Sequence, residues 1–135
     1  LHPSVSQACK NMEKPDFVID VSDYKDSQEL VSAADITISD FSSIMFEPAF
    51  VKKPVFLFAT DIQEYIANEY DLLIKYEELP FPVAESNEEL AQNIRSFDQE
   101  AYVEQVGQFL EGYGVCEDGH ASERVAEYIS KRIGE

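Results

Sequence analysis

The sequence predicts an α/β fold built on a right-handed, doubly wound parallel sheet. Two patterns predict it. Short β-rich runs alternate with helical segments three times between residues 17 and 70, as in successive βαβ units. The run Pro54-Val55-Phe56-Leu57-Phe58-Ala59 is also nearly all apolar, as strands covered on both faces of a parallel sheet are. A chain of 135 residues is expected to form one domain, 1–135, burying about two-thirds of its unfolded surface.

The elements follow in order. Phe17 to Val21 is a β-rich run between Pro15-Asp16 and Ser22-Asp23 and predicts a first strand. Asp26, with Glu29 three residues on, opens a helix through about Ala34. Ile36 to Ser39 predicts a second, buried strand, and Ser42 to Val51 a helix that Pro48 bends by freeing the carbonyl of Ile44. After the turn Lys52-Lys53 comes the apolar strand 54–59, then a helix over 61–70 and a short extended piece over 72–76. Residues 77–83, with Pro80 and Pro82, read as a loop. Ser86-Asn87-Glu88-Glu89 is a capping box for a helix to about Phe97. Asp98 caps another to Leu110, with Tyr102, Val106 and Phe109 on one face. A turn-rich stretch leads to a last helix over 121–133, with Val125, Tyr128 and Ile129 on its apolar side. Alternation giving way to helices, and an opening Leu1-His2-Pro3 without methionine, suggest a segment of a larger α/β protein.

Charge narrows the partners. Ten basic residues face 27 acidic ones, a net charge of −17. A nucleic-acid partner is not expected, because phosphate tracks need a lining of Lys and Arg. Docking on an anionic bilayer is disfavoured for the same reason, and no apolar run approaches the roughly 20 residues of a membrane span. A small anion remains compatible: distant carboxylates are screened over about 8 Å, whereas N–H donors act at contact. Cys9 and Cys116 lack metal-ligand spacing, so no metal site is expected. Two free thiols in a reducing compartment are the plain reading, and a disulfide between them stays open.

Three groups of residues are candidates for chemistry. The first lies in ITISDFSSIMFEPAF, residues 36–50, where an apolar strand runs into an acid, an aromatic and two serines before a helix. One reading is a plain helix cap by Asp40 or Ser42. The other is an anion site, with Ser42 and Ser43 adding hydroxyl donors to free backbone N–H groups at the carboxyl end of a strand. Asp40 repels a phosphate and so orients the turn in either reading. Glu47, one turn further, suits a ribose hydroxyl or plain solvation.

The second group is Leu1-His2-Pro3, where Pro3 stops regular structure just after His2. The imidazole is either structural or a donor to phosphate and a general acid or base near neutral pH. The third is Asp118-Gly119-His120-Ala121-Ser122-Glu123-Arg124. Gly119 permits a turn with positive φ, His120 or Ser122 starts the last helix, and Arg124 pairs with a phosphate or a neighbouring carboxylate.

Taken in order, LHP, VIDVSD, LVSAADITISDFSSIMFEPAFVKKPVFLFATD and DGHASERV resemble the C-terminal part of the CDP-glycerol glycerophosphotransferases, the teichoic-acid primases and polymerases. The resemblance covers almost the whole chain. It implies the C-terminal, Rossmann-like half of a GT-B-type enzyme, the half that binds the CDP-activated donor, with no cofactor beyond that substrate. His2 becomes the catalytic histidine of an HP motif beside the donor pyrophosphate. Ser42 and Ser43 hold phosphate, Asp40 shapes their turn and Glu47 touches the ribose. Ser122 and Arg124 fall in the family's closing motif.

The resemblance further implies a cytoplasmic enzyme, peripheral on the inner face of the cell membrane, acting on a lipid-linked or polymer acceptor. The acceptor-binding half and its histidine lie outside this sequence, so the segment alone is expected to be inactive. A second enzyme reading is the donor half of a UDP-sugar glycosyltransferase. A non-catalytic, receiver-like acidic module is the reading from another class. It lacks support in the sequence, since no adjacent acid pair follows the first predicted strand and Lys52-Lys53 precede a strand rather than follow one.

Overall fold

The apolar run around Val55 becomes the middle strand, and much of the fold serves to cover it. The computed structural model describes residues 14–68 and 74–134. Strands β1 (Thr37–Ser39), β2 (Val55–Phe58) and β3 (Val83–Ala84) form one parallel sheet in the order β1-β2-β3. Thr37 pairs with Val55 and Ser39 with Leu57 on one side of β2, and Leu57 pairs with Val83 on the other. The parallel α/β architecture is therefore as expected. The chain divides into two compact units, residues 1–33 and 34–135.

In the first unit, helix α1 (Ser27–Ala33) starts where the sequence places it. Asp26 Oδ1 accepts from the N–H groups of Gln28 and Glu29 at 3.0 and 3.2 Å. Residues 17–21, however, form no strand. Their backbone bonds close locally: Val18 N–H donates to the Pro15 carbonyl and Tyr24 N–H to the Val21 carbonyl. Asp20 accepts from both the N–H and the hydroxyl of Ser22, a side-chain turn that competes with a ladder. Lys14 pairs with the same carboxylate, whose pKa is held well below the usual range mainly by that bond. Phe17 and Ile19 stay 86% and 83% exposed, so this apolar run buries almost nothing within its own unit's described residues.

In the second unit, β2 is buried and β1 is an edge. Val55, Phe56 and Leu57 are almost wholly buried, whereas Ile36 and Ile38, expected in a buried strand, are exposed. The difference follows from pairing, since among the described residues only β2 has a strand on each side. Strand β3 lies where the sequence predicts loop. Pro82 cannot donate, but its carbonyl accepts from Leu57 N–H at 2.8 Å, and Ala84 accepts from Ala59 at 2.9 Å. A proline-flanked segment can thus supply an edge strand through its acceptors.

Residues 42–51 divide in two instead of bending as one helix. A 3₁₀ turn, Ser43–Met45, is followed by the short α2 (Phe46–Phe50), and Phe46 N–H closes on the carbonyls of Ser43 and Ile44. Pro48 has no N–H to offer Ile44, so an α-helical ladder cannot run through this point. Its ring is instead fully buried, beside Ala49 in the same short helix. Helix α3 (Ile62–Asn68) follows β2, and a second 3₁₀ turn (Tyr76–Glu78) opens the stretch expected as loop. Of the extended piece expected over 72–76, residues 72 and 73 lie outside the described residues and 74 and 75 form no strand.

The remaining helices are α4 (Asn87–Arg95), α5 (Gln99–Gly112) and α6 (Ala121–Ile133). Ser86 and Asp98 cap α4 and α5 as expected, and Glu89 reaches back to the N–H of Glu85 at 2.8 Å. Val55 and Leu57 pack with Met45, Ala49, Tyr102 and Val106 in the main core. Phe56, alternating to the other face, meets Phe97 at 5.1 Å between ring centroids. The Tyr102 hydroxyl donates to the Lys53 carbonyl at 2.8 Å and accepts from Val55 N–H at 3.2 Å, tying α5 to the start of β2. The apolar side expected on α6 is present, but Val125, Tyr128, Ile129 and Ile133 are all exposed.

Candidate functional site

The serine turn begins directly at the carboxyl end of β1. Asp40 Oδ1 accepts from Ser42 N–H at 3.1 Å, so the acid does fix the turn. Ser42 takes extended backbone angles, and its Oγ accepts from Ile44 N–H at 3.4 Å as the cap of the 3₁₀ turn. Ser43 is the first residue of that turn. Both serines are exposed, as is Glu47 in the first turn of α2. The cap reading of Ser42 is thus present in the structure, and an exposed serine hydroxyl at Ser43 stands beside it. Neither excludes an anion, because Oγ of Ser42 accepts in the cap and retains its own proton to donate.

Beside this turn lies an apolar pocket of about 220 Å³ that the sequence did not signal. Phe41 and Met45 come from the turn, Phe46 from the start of α2, and Tyr65 and Tyr76 from α3 and the second 3₁₀ turn. Phe41 and Tyr65 stack with centroids 3.7 Å apart and planes within 1°. Tyr76 packs against Phe41 at 5.6 Å and is 4% exposed. Its hydroxyl is buried and has no hydrogen-bond partner among the described residues. Burial, and secondarily the nearby Asp40 carboxylate, push its pKa up to about 12, so the hydroxyl keeps its proton at neutral pH. Phe41 stands out in the sequence as the aromatic between Asp40 and the serines, but nothing there points to a pocket. Its two partners lie more than 20 positions away in the sequence.

The closing motif forms its own cluster at the start of α6. Gly119 has φ +79°, as its place in a turn requires. Arg124 donates to both oxygens of Asp118 at 2.7 Å and to the Cys116 carbonyl at 3.3 Å. The guanidinium, aided by the His120 N–H, lowers the Asp118 pKa, and Asp118 raises that of Arg124. His120 occupies the cap position of α6 without a side-chain cap bond and pairs through Nδ1 with Glu123 at 3.0 Å. Ser122 is exposed in the first turn of α6. Arg124 therefore holds the neighbouring carboxylate, one of the two partners the sequence left open. Cys116 is a free, exposed thiol. His2 and Cys9 lie outside the described residues. Among those described, no group of three or more His, Cys, Asp or Glu is placed to hold a metal, and no helix is long and apolar enough to cross a membrane.

The parallel three-stranded sheet flanked by helices defines an α/β protein, with the serine-bearing turn at the carboxyl end of β1. The chain belongs to the CDP-Glycerol:Poly(glycerophosphate) glycerophosphotransferase family, whose model matches residues 1–131. It is 33% identical to the teichoic acid poly(glycerol phosphate) polymerase of Staphylococcus epidermidis over 138 residues, covering 100% of this chain and 19% of that protein. It is likewise 33% identical over 131 residues to the teichoic acid ribitol-phosphate primase of Bacillus spizizenii, covering 96% and 33%. Among solved structures, a variant of the wall teichoic acid polymerase TagF, soaked with CDPG for 15 minutes, matches with a TM-score of 0.75 and 34% identity. That match covers 98% of this chain and 33% of TagF. The chain thus spans a third or less of the length of these relatives.

Proposed function

We propose that this chain is the donor-holding part of a glycerophosphotransferase. The enzyme moves glycerol phosphate, or a related polyol phosphate, from a CDP-activated donor to a teichoic-acid or other cell-envelope acceptor. The observation that carries this reading is the family match across residues 1–131, with the Asp40–Ser43 turn at the carboxyl end of β1 inside it. A relative soaked with CDPG supports the donor, and a ribitol-phosphate primase among the relatives leaves the polyol open.

In this reading an acceptor hydroxyl attacks the β-phosphorus. A new phosphorus–oxygen bond forms, the bond to the bridging oxygen breaks, and CMP leaves with that oxygen. This chain contributes position and charge neutralisation. Ser42 and Ser43 donate to phosphate oxygens, Asp40 keeps their turn in shape, and Glu47 accepts from a ribose hydroxyl. His2 donates to the departing phosphate. Arg124 and Ser122 act from the start of α6 when Arg124 exchanges Asp118 for phosphate.

The test is calorimetry with CDP, CDP-glycerol and UDP. CDP and CDP-glycerol are expected to bind, and changing Ser42 and Ser43 together to alanine to weaken both by about 1–3 kcal/mol. Unchanged affinity in the double variant removes the serines from the site. Preference for UDP turns the assignment toward a UDP-sugar transferase.

A further inference from the structure

We propose that Tyr65 is a positioning residue for the serine turn: stacked on Phe41, it holds Ser42 and Ser43 in place and so sets phosphate affinity from α3. This rests on the donor-binding reading above and adds to it a residue from outside the turn.

The turn does not fix its own place. Its hydrogen bonds close between residues 40 and 45: Asp40 Oδ1 accepts from Ser42 N–H, Ser42 Oγ from Ile44 N–H, and the Ser42 carbonyl from Met45 N–H at 3.2 Å. Bonds this local set the shape of a turn, not its direction. Sheet pairing stops just before it, since the last paired residue of β1 is Ser39, opposite Leu57. Both serines are exposed, so burial does not hold them either.

What reaches across the fold is the Phe41 ring, with Met45 behind it in the core. Phe41 lies parallel to Tyr65 with centroids 3.7 Å apart and meets the buried Tyr76 at 5.6 Å. It stands between the acid that shapes the turn and the first serine, so a shift of its ring passes directly to both hydroxyls. Tyr65 is carried on a helix, and sites supported from helices are held more precisely than sites supported from loops.

Packed interiors leave few voids larger than a water molecule. Here a pocket of about 220 Å³ borders the stack, and both Phe41 and Tyr65 are only half-buried. Without the Tyr65 ring, Phe41 has room to leave its place and the turn loses its long-range constraint. The stack therefore decides what fraction of turns presents both serines together, and apparent affinity scales with that fraction.

The experiment reads the turn and the ligand separately. Amide hydrogen exchange at Ser42, Ile44 and Met45 is followed in the parent chain, Tyr65→Ala and Tyr65→Phe. CDP binding is measured by calorimetry in the same three, each with and without the Ser42→Ala/Ser43→Ala pair. Tyr65→Ala should speed exchange at the three amides about tenfold beyond any change at the Val55 and Leu57 N–H groups, which report on the fold as a whole. It should weaken CDP about three- to tenfold, the range one aromatic pair spans. Tyr65→Phe keeps the ring and should restore both readouts. In the serine-pair background Tyr65→Ala should weaken CDP no further, because the hydroxyls it acts through are gone.

Exchange rising equally at Val55 and Leu57 would overturn the proposal, since the ring then serves the fold and not the turn. Unchanged exchange in the turn overturns it too, as does equal weakening of CDP in both backgrounds. Failure of the donor reading looks different: the serine pair alone then leaves CDP affinity unchanged, while faster exchange in Tyr65→Ala and its recovery in Tyr65→Phe still show that Tyr65 holds the turn.

Discussion

Arg124 holds Asp118 through a single nitrogen, Nη1, which donates to both carboxylate oxygens at 2.7 Å while Nη2 turns to the Cys116 carbonyl. This is a shared contact rather than a fork-to-fork pair. It lies at the surface, with both side chains about half exposed. Exposed pairs of this kind are worth little to stability and are screened by salt. Their consequence lies in ligand binding: a phosphate that recruits Arg124 must first displace a carboxylate.

That competition predicts a mutant cycle. Asp118→Asn is expected to tighten CDP binding about three- to tenfold, because the guanidinium is released and a local negative charge removed. Arg124→Ala should abolish the gain, so that the double variant binds no more tightly than Arg124→Ala alone. Equal tightening with and without Arg124 would show that the effect of Asp118 is its own charge.

The same pair sets a titration. The Asp118 pKa is lowered by the Arg124 hydrogen bond and by the His120 N–H. A depressed carboxyl favours the folded state above the unfolded value, near 3.9, and loses that contribution as pH falls through the folded value. Carboxyl ¹³C shifts should therefore place the Asp118 midpoint below 3.9, with α6 unaffected at neutral pH. A midpoint at or above that value means the pair is not formed in solution.

Helix capping offers a check at residues outside the candidate site. Asp98 Oδ1 accepts from Glu100 and Ala101 N–H groups, both at 3.0 Å. Asp98→Ala should destabilise the chain by about 0.5–2 kcal/mol in urea, the usual range for a lost N-cap. Asp98→Asn should recover most of it.

The caps were legible in the sequence because their chemistry is local. Asp26, Ser86 and Asp98 each bond to N–H groups two or three residues on, which spacing alone specifies. The turn at Asp40 was legible for the same reason. Residues 17–21 misled because their β-rich composition says nothing of where a partner strand lies, and Asp20 with Ser22 drew the backbone into turns. Strand β3 was hidden because proline disfavours donors, and here only its carbonyl is used. The aromatic pocket was invisible for a different reason. Tyr65 and Tyr76 meet Phe41 only after β2 and α3 fold back, and each in isolation reads as core.

Two buried tyrosines then provide an internal comparison. Tyr102 and Tyr76 are 3% and 4% exposed, and burial pushes both hydroxyls up to about 12. Their hydrogen bonding differs completely. Tyr102 bridges Lys53 O and Val55 N–H at the head of β2, whereas the Tyr76 hydroxyl has no hydrogen-bond partner among the described residues. Removing the Tyr102 hydroxyl strands a buried N–H and a carbonyl, so Tyr102→Phe should cost about 1–3 kcal/mol in a urea titration. Tyr76→Phe should cost nothing or stabilise. Both tyrosines also predict alkaline sensitivity. A phenol whose folded pKa exceeds its unfolded value of about 10 stabilises the fold below that value. The contribution is lost as pH rises from about 10 toward 12, and each Tyr→Phe variant should flatten this decline. Equal destabilisation by the two substitutions at neutral pH would show that the bridge at Lys53 and Val55 does not hold the strand.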